Sequence, residues 1–185
     1  WAIALRDAAT APQARSSALA SARSQARSRT RKRTANAAAN ISGAPFRVCV
    51  VMGDGECNEG SIWEAAMLAG ARKTGNLCAV VDANGWQATG RSAEVLALEP
   101  QADKWKAFGW DVLEMQGNDM AAVLKGLDEA KSRTGKGKPV MILMRTEMGS
   151  GVDFMVGSHE WHGIAPNDAQ LADALKQLPE TLGDY

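Results

Sequence analysis

Arg47-Val48-Cys49-Val50-Val51-Met52-Gly53-Asp54-Gly55-Glu56-Cys57-Asn58-Glu59-Gly60 and its companion Ala79-Val80-Val81-Asp82-Ala83-Asn84-Gly85-Trp86-Gln87 share one plan. Each is an apolar, β-branched run that stops at glycine, acidic and amide residues. A buried parallel strand reads this way, and it delivers a polar loop at its carboxyl end. Ligands of open α/β sheets bind in the crevice at those ends.

The first loop sets one carboxylate, Asp54, between Gly53 and Gly55. Glycine lets the backbone turn tightly and lets a ligand approach its N–H groups. The second loop offers the amide oxygen of Asn84, followed by Gly85. Hard oxygens on two neighbouring strand ends suit Mg²⁺. That ion favours octahedral geometry and takes few protein side chains, leaving room for waters and phosphate oxygens. A helix is expected to start after Gly55, near Asn58 or Ser61, and its first N–H groups favour a phosphate. The constellation points to a magnesium-diphosphate site. No Gly-x-Gly-x-x-Gly pattern follows a strand, which disfavours nicotinamide or flavin binding.

Working outward, the pattern predicts strands over 47–52, 76–82, 110–115 and 140–144. It predicts helices over 58–73, 101–108, 119–133 and 167–178. Ile62, Ala65, Ala66 and Ala69 repeat at helical spacing in the first helix. Ala122, Val123, Leu127 and Ala130 are expected inward in the third, with Asp119 in its first turn. Asn167 is a credible N-cap for the last. Residues 83–100 and 147–166 are expected to be mostly loop. Alternating strands and helices with long connections give an α/β fold, a mostly parallel sheet with helices on both faces.

The ends of the chain differ in character. Residues 1–43 carry a charge of +7 and residues 44–185 carry −7, so the whole is neutral. The first segment is Ala-, Ser- and Arg-rich with almost no large apolar residue after Leu19. It is expected to be irregular, because it cannot bury enough area to offset its ordering entropy. No aromatic residue interleaves its basic run, so a nucleic-acid partner is disfavoured. Residues 44–185 form the expected domain. No apolar run is long enough to span a bilayer. Cys49 and Cys78 in strands and Cys57 in the first loop argue for reduced thiols and a cytoplasmic setting.

Gly53-Asp54-Gly55 followed by Asp82-Ala83-Asn84-Gly85 resembles the thiamine-diphosphate signature. Gly53 to Ala65, together with Trp161-His162-Gly163-Ile164-Ala165-Pro166-Asn167, resembles specifically the N-terminal subunit of a split transketolase. The resemblance runs from about Ala44 onward. It implies a thiamine-diphosphate-binding fold that is N-terminally incomplete, since an upstream Gly-Ser-Leu-Gly loop and helix are not found. A frame-shifted or otherwise non-family origin for roughly the first 40 residues is the corresponding expectation.

By the same resemblance Asp54, Asn84 and the Trp86 carbonyl are the expected Mg²⁺ ligands. Gly53, Gly55, Glu56, Asn84 and His162 are the expected cofactor contacts. His162 is expected to reach cofactor and substrate and to handle a proton, work suited to an imidazole. Glu59 matches an acidic residue between two cofactor sites. Its other reading is a carboxylate favourable at a helix start. Glu64 could form a capping box with Ser61. His159 has no clear match. Thr146-Glu147-Met148-Gly149-Ser150-Gly151 departs from the pattern of many relatives, which carry two lysines there.

The implied reaction moves a two-carbon ketol unit between sugar phosphates. A Glu that activates the cofactor comes, in relatives, from another domain. Self-association and a transketolase C-terminal partner subunit, together forming an α₂β₂ heterotetramer, are therefore expected. Residues 58–73, rich in alanine, are the expected interface. Another thiamine-diphosphate enzyme half, of the deoxyxylulose-phosphate synthase or 2-oxo-acid dehydrogenase type, and a non-catalytic remnant are the alternatives.

Overall fold

The computed structural model describes residues 2–5 and 47–178. The remainder of the expected 1–43 segment lies outside the described residues. Five strands form one sheet: β1 (Ala2–Leu5), β2 (Arg47–Gly53), β3 (Leu77–Ala83), β6 (Asp111–Gln116) and β7 (Val140–Arg145). Their spatial order is β1-β2-β3-β7-β6. The pairs β2–β3, β3–β7 and β6–β7 are parallel. β1 pairs antiparallel with β2, Ala2 opposite Val50 and Leu5 opposite Arg47. Irregular backbone was the expectation for these four residues. Their uninterrupted apolar composition is compatible with an edge strand.

Among the described residues five α-helices accompany the strands: α1 (Gly60–Ala71), α2 (Ser92–Val95), α3 (Gln101–Ala107), α4 (Met120–Arg133) and α5 (Asp168–Gln177). The steps β2 to β3 and β3 to β6 run one way across the sheet. Ala66 and Ala69 of α1 and Ala102 and Trp105 of α3 share a core with Val48, Val50, Val81 and Leu143. The step β6 to β7 runs back, and Ala130 of α4 packs with Cys78, Leu113, Val140 and Ile142 on the other face. Helices change face when direction reverses, as crossovers of one hand require. The expected helices-on-both-faces architecture is what the described residues form.

An aromatic cluster ties α1 to α3. Trp63 and Trp105 lie 5.3 Å apart between ring centroids, and Trp105 and Trp110 lie 4.9 Å apart edge to face. Trp110 Nε1 donates to the Ala66 carbonyl at 2.9 Å. Gly70 lets the two segments meet this closely. A Cβ there would stand 1.8 Å from the Phe108 carbonyl oxygen, well inside contact distance.

Several local expectations are corrected. Asp119 is the N-cap of α4, accepting from the Ala121 N–H, so it stands outside the first turn. An Asp side chain competes for that N–H more favourably from the cap. Leu127 is exposed, while Gly126 and Ala130 are buried. The helix approaches the sheet through small residues, and its larger ones face away. α1 begins at Gly60 with Glu59 as N-cap, so Ser61 and Glu64 form no capping box at its start; Ser61 is already inside the helix. Asn167 caps α5, with Gln170 completing a reciprocal pair of hydrogen bonds. The 83–100 stretch holds a small ribbon, β4 (Trp86–Gln87) against β5 (Gly90–Arg91), and then α2.

Candidate cofactor and metal site

β2 and β3 run in parallel register with Gly53 opposite Asp82, so their polar loops leave the sheet side by side. After Gly53 the chain turns through a short 3₁₀ helix, Gly55–Asn58, before α1. The turn is anchored to the core: Trp63 Nε1 donates to the Cys57 carbonyl at 2.7 Å, and Cys57 is fully buried. The Cys57 N–H in turn donates to the Asp54 carbonyl at 2.9 Å.

Asp54 is 4% exposed. Its Oδ1 accepts the Gly55 N–H at 2.8 Å. Its Oδ2 accepts the Gly85 N–H at 2.9 Å and the Ser92 hydroxyl at 2.8 Å. One carboxylate therefore joins the first loop, the second loop and α2. All three donors are neutral, and among the described residues no basic side chain pairs with Asp54. A buried charge is costly unless it meets an opposite one. A hard divalent cation is a partner this carboxylate can take.

Asn84 contributes differently from Asp54. Its Oδ1 accepts the Trp86 N–H at 2.8 Å, and its Nδ2 donates to Asp82 Oδ2 at 3.4 Å. An amide oxygen has two lone pairs, so one remains for an ion. Gly85 has φ +79°, a conformation that costs an L side chain about 1–2 kcal/mol. That turn brings its N–H onto Asp54. Asp82 is held in place by the Thr146 hydroxyl, which donates to its Oδ1. Among the described residues no three His, Cys, Asp or Glu side chains converge as a metal cluster. The oxygens expected to hold Mg²⁺, on the Asp54 carboxylate, the Asn84 amide and the Trp86 carbonyl, lie on these two neighbouring strand-end loops.

The expected phosphate donors are engaged within the loop. The Gly53 N–H donates to Glu56 Oε2 at 3.0 Å, and the Gly55 N–H to Asp54. An anion arriving at Gly53 therefore competes with the Glu56 carboxylate. Glu59, at the N-cap of α1, makes no side-chain capping bond.

His162 lies on a different loop. It ends a 3₁₀ turn, His159–Trp161, in the loop between β7 and α5, and is exposed. The loop is held by Trp161 Nε1 donating to the Phe154 carbonyl at 2.9 Å. It is also held by Asp153 and Gln177, which exchange two hydrogen bonds. The contact with the second strand-end loop is made by His159, whose ring stacks on Trp86 at 6.2 Å. Arg91 packs against Trp86 as well, 4.6 Å from its centroid.

Ser92, Arg91, Arg145 and Gln101 are site residues that sequence reasoning missed. Asp54, Gly85, Ser92, Glu99, Gln101 and Arg145 line a cavity of about 270 Å³; Asn84 is not on its wall. Gln101 is 1% exposed, and its Nε2 has no hydrogen-bond partner among the described residues. Arg145 NH1 lies 2.6 Å from Glu99 Oε1 and holds that carboxyl below its ordinary range. Their separations in sequence leave no periodic trace. A Ser beginning a four-residue helix inside an irregular loop looks like any turn residue.

A family model described as "Transketolase, thiamine diphosphate binding domain" matches residues 7–182. The chain is 40% identical over 139 residues to an apulose-4-phosphate transketolase subunit of Phocaeicola vulgatus, covering 75% of this chain and 49% of that protein. It is 38% identical over 134 residues to the 6-deoxy-6-sulfo-D-fructose transketolase subunit SqwG of a Clostridium species, covering 72% and 48%. The chain thus spans about half the length of these curated relatives. The transketolase of Campylobacter jejuni superposes with a TM-score of 0.64 at 29% identity, covering 70% of this chain and 20% of that one. The chain belongs to the transketolase family, in its thiamine diphosphate binding domain.

Proposed function

We propose that this chain holds the Mg²⁺-diphosphate end of thiamine diphosphate in a transketolase-type transferase, and acts in two-carbon ketol transfer between sugar phosphates only with a C-terminal partner subunit. The observation that carries this reading is the Asp54 carboxylate. It is buried, joins two strand-end loops, and has only neutral donors. Asp54, Asn84 and the Trp86 carbonyl would hold the ion, and the Gly53–Glu56 turn would lie beside the diphosphate. When bound, the cofactor supplies the carbanion chemistry that breaks and forms the carbon–carbon bond.

This chain's residues do the holding. The two loops hold the Asp54 carboxylate before any ion arrives, while a diphosphate at Gly53 has to displace the Glu56 carboxylate. His162 stands in the exposed loop and is proposed to reach cofactor and substrate and to handle a proton there. Glu59 at the start of α1 is proposed to face the neighbouring cofactor site in the assembly. Two relatives, each named as one subunit of an apulose-4-phosphate transketolase, support a two-subunit enzyme. A soluble, cytoplasmic setting is part of the same proposal. Among the described residues no helix is long and apolar enough to cross a membrane.

Calorimetric titration of the full chain with thiamine diphosphate and Mg²⁺ tests the proposal. Saturable binding that needs the ion, and its loss in Asp54→Asn, is the expected result. Ion-independent binding, or undiminished binding by Asp54→Asn, overturns the metal assignment. Transfer activity is then assayed in the complex with the partner subunit. Binding without activity in that complex would favour the non-catalytic reading.

A further inference from the structure

We propose that Ser92 is the positioning residue of the metal site: it decides which oxygen of Asp54 is presented to the ion and fixes the second loop against the first. The inference rests on the reading of Asp54 as a metal ligand and goes beyond it to a residue 38 positions away.

Ser92 touches the site twice. Its backbone N–H donates to the Gly85 carbonyl at 2.9 Å, and its hydroxyl donates to Asp54 Oδ2 at 2.8 Å. Its own carbonyl accepts the Leu96 N–H at 3.1 Å, so the backbone is fixed on both sides. The residue is 7% exposed. Gly85 is the neighbour of both Asn84 and Trp86, so Ser92 clips the loop that bears two expected ligands onto the carboxylate that is the third.

Lone-pair arithmetic gives the clip its chemical effect. Each carboxylate oxygen has about two acceptor sites. Oδ2 fills both, with the Gly85 N–H and the Ser92 hydroxyl. Oδ1 fills one, with the Gly55 N–H. The free site is on Oδ1, and the carboxylate is oriented for one-oxygen ligation. Without the Ser92 hydroxyl, Oδ2 also has a free site. The carboxyl plane is then held by two glycine N–H groups alone. Partners that orient ligating carboxylates in this way typically contribute about 10–100-fold to metal affinity.

The test titrates the full 185-residue chain with Mn²⁺ in the presence of thiamine diphosphate and counts free Mn²⁺ by electron paramagnetic resonance. Mn²⁺ shares the preference of Mg²⁺ for octahedral oxygen ligands. Ser92→Ala is expected to weaken Mn²⁺ binding by about 10–100-fold. Ser92→Thr, which keeps the hydroxyl, is expected to restore most of it. Thr134→Val removes a hydroxyl bond to the Ala130 carbonyl at the far end of α4. It is expected to lower the thermal midpoint of the metal-free chain and leave Mn²⁺ affinity unchanged.

A wild-type chain that binds no Mn²⁺ refutes the underlying metal reading and this inference with it. A wild type that binds while Ser92→Ala binds equally well overturns the positioning role alone. Equal loss in Ser92→Ala and Thr134→Val overturns it too, since the effect would be general destabilisation. Should Ser92→Ala not fold, Ser92→Cys takes its place as a weaker donor, and wild-type affinity in that variant is the overturning result.

Discussion

The strand-end loops and the β7–α5 loop both carry expected site residues, yet they are built differently. Around Asp54 the backbone and side chains are tied to one another and to the core, and the carboxylate is almost sealed from solvent. Around His162 the chain is half-buried at Trp161 and exposed at Gly163, and ties run mainly to the loop's own neighbours and to α5. Holding a small, hard ion needs oxygens fixed before the ion arrives. Admitting a sugar and moving a proton needs an approach from solvent. Under the proposed function, the rigid part of the work falls to one region and the adaptable part to the other.

A matched pair of substitutions offers the sharpest way to break this contrast. Both loops contain an indole N–H donating to a nearby carbonyl: Trp63 to Cys57 at 2.7 Å, and Trp161 to Phe154 at 2.9 Å. The chemistry is the same and the settings are not. Trp63 also packs on Trp105 and Phe108 against the core. Trp63→Phe leaves the buried Cys57 carbonyl without its donor and should destabilise the chain by about 2 kcal/mol. Trp161→Phe should cost less than about 1 kcal/mol, because solvent can replace the lost donor. Denaturant melts of the two variants check this, and equal costs would erase the distinction.

A smaller effect is expected at the place where the two regions meet. His159 stacks on Trp86, the only ring contact that joins them among the described residues. Such contacts contribute about 0.5–1.5 kcal/mol. His159→Ala should therefore free the 146–166 loop without unfolding the domain. Cleavage by a glutamate-specific protease at Glu160 is expected to speed up several-fold, while the thermal midpoint moves little. Unchanged cleavage would mean that the His159 stack does not hold the loop.

The same contrast explains what was legible in the sequence. Strands β2, β3 and β7 were readable from their apolar runs and β6, last in the sheet order, from the shorter pattern of Val112, Leu113 and Met115, while Asp54 and Asn84 were readable as polar residues at strand ends. Asn167 was readable as a cap because capping is a local event. Ser92, Gln101 and Arg145 were not, because their contacts join distant stretches and follow no period. His159 was passed over for a related reason: its stacking partner lies 73 positions earlier, on another strand end. Leu127 was misplaced because a helical stripe shows which residues share a face, but small residues can win the contact when the helix lies close to the sheet.

The ion pair at the carboxyl end of β7 supplies the smallest effect and a pH dependence. Arg145 NH1 lies 2.6 Å from Glu99 Oε1, and the Gln101 N–H donates to the other Glu99 oxygen at 2.8 Å. The Arg145 guanidinium, aided by that N–H, holds the Glu99 carboxyl below its ordinary range against some desolvation. A carboxyl depressed in the folded chain adds stability that is complete above its unfolded pKa, about 4.3 for Glu. That stability fades as pH falls through the lower folded value. The side chains are 39% and 60% exposed, so solvent screening limits the gain to no more than about 1 kcal/mol. Glu99→Gln should accordingly lower stability slightly at pH 7 and close on the wild type in acid, as pH falls through the folded value. Arg145 also reaches Glu114 of β6 at 3.5 Å, so it spans from the cavity wall to the neighbouring strand. If the variant and wild type differ equally at pH 7 and in acid, the cost arises from the lost hydrogen-bond geometry rather than from charge. The cavity side of the Asp54 region would then be held by hydrogen bonds and packing rather than by charge.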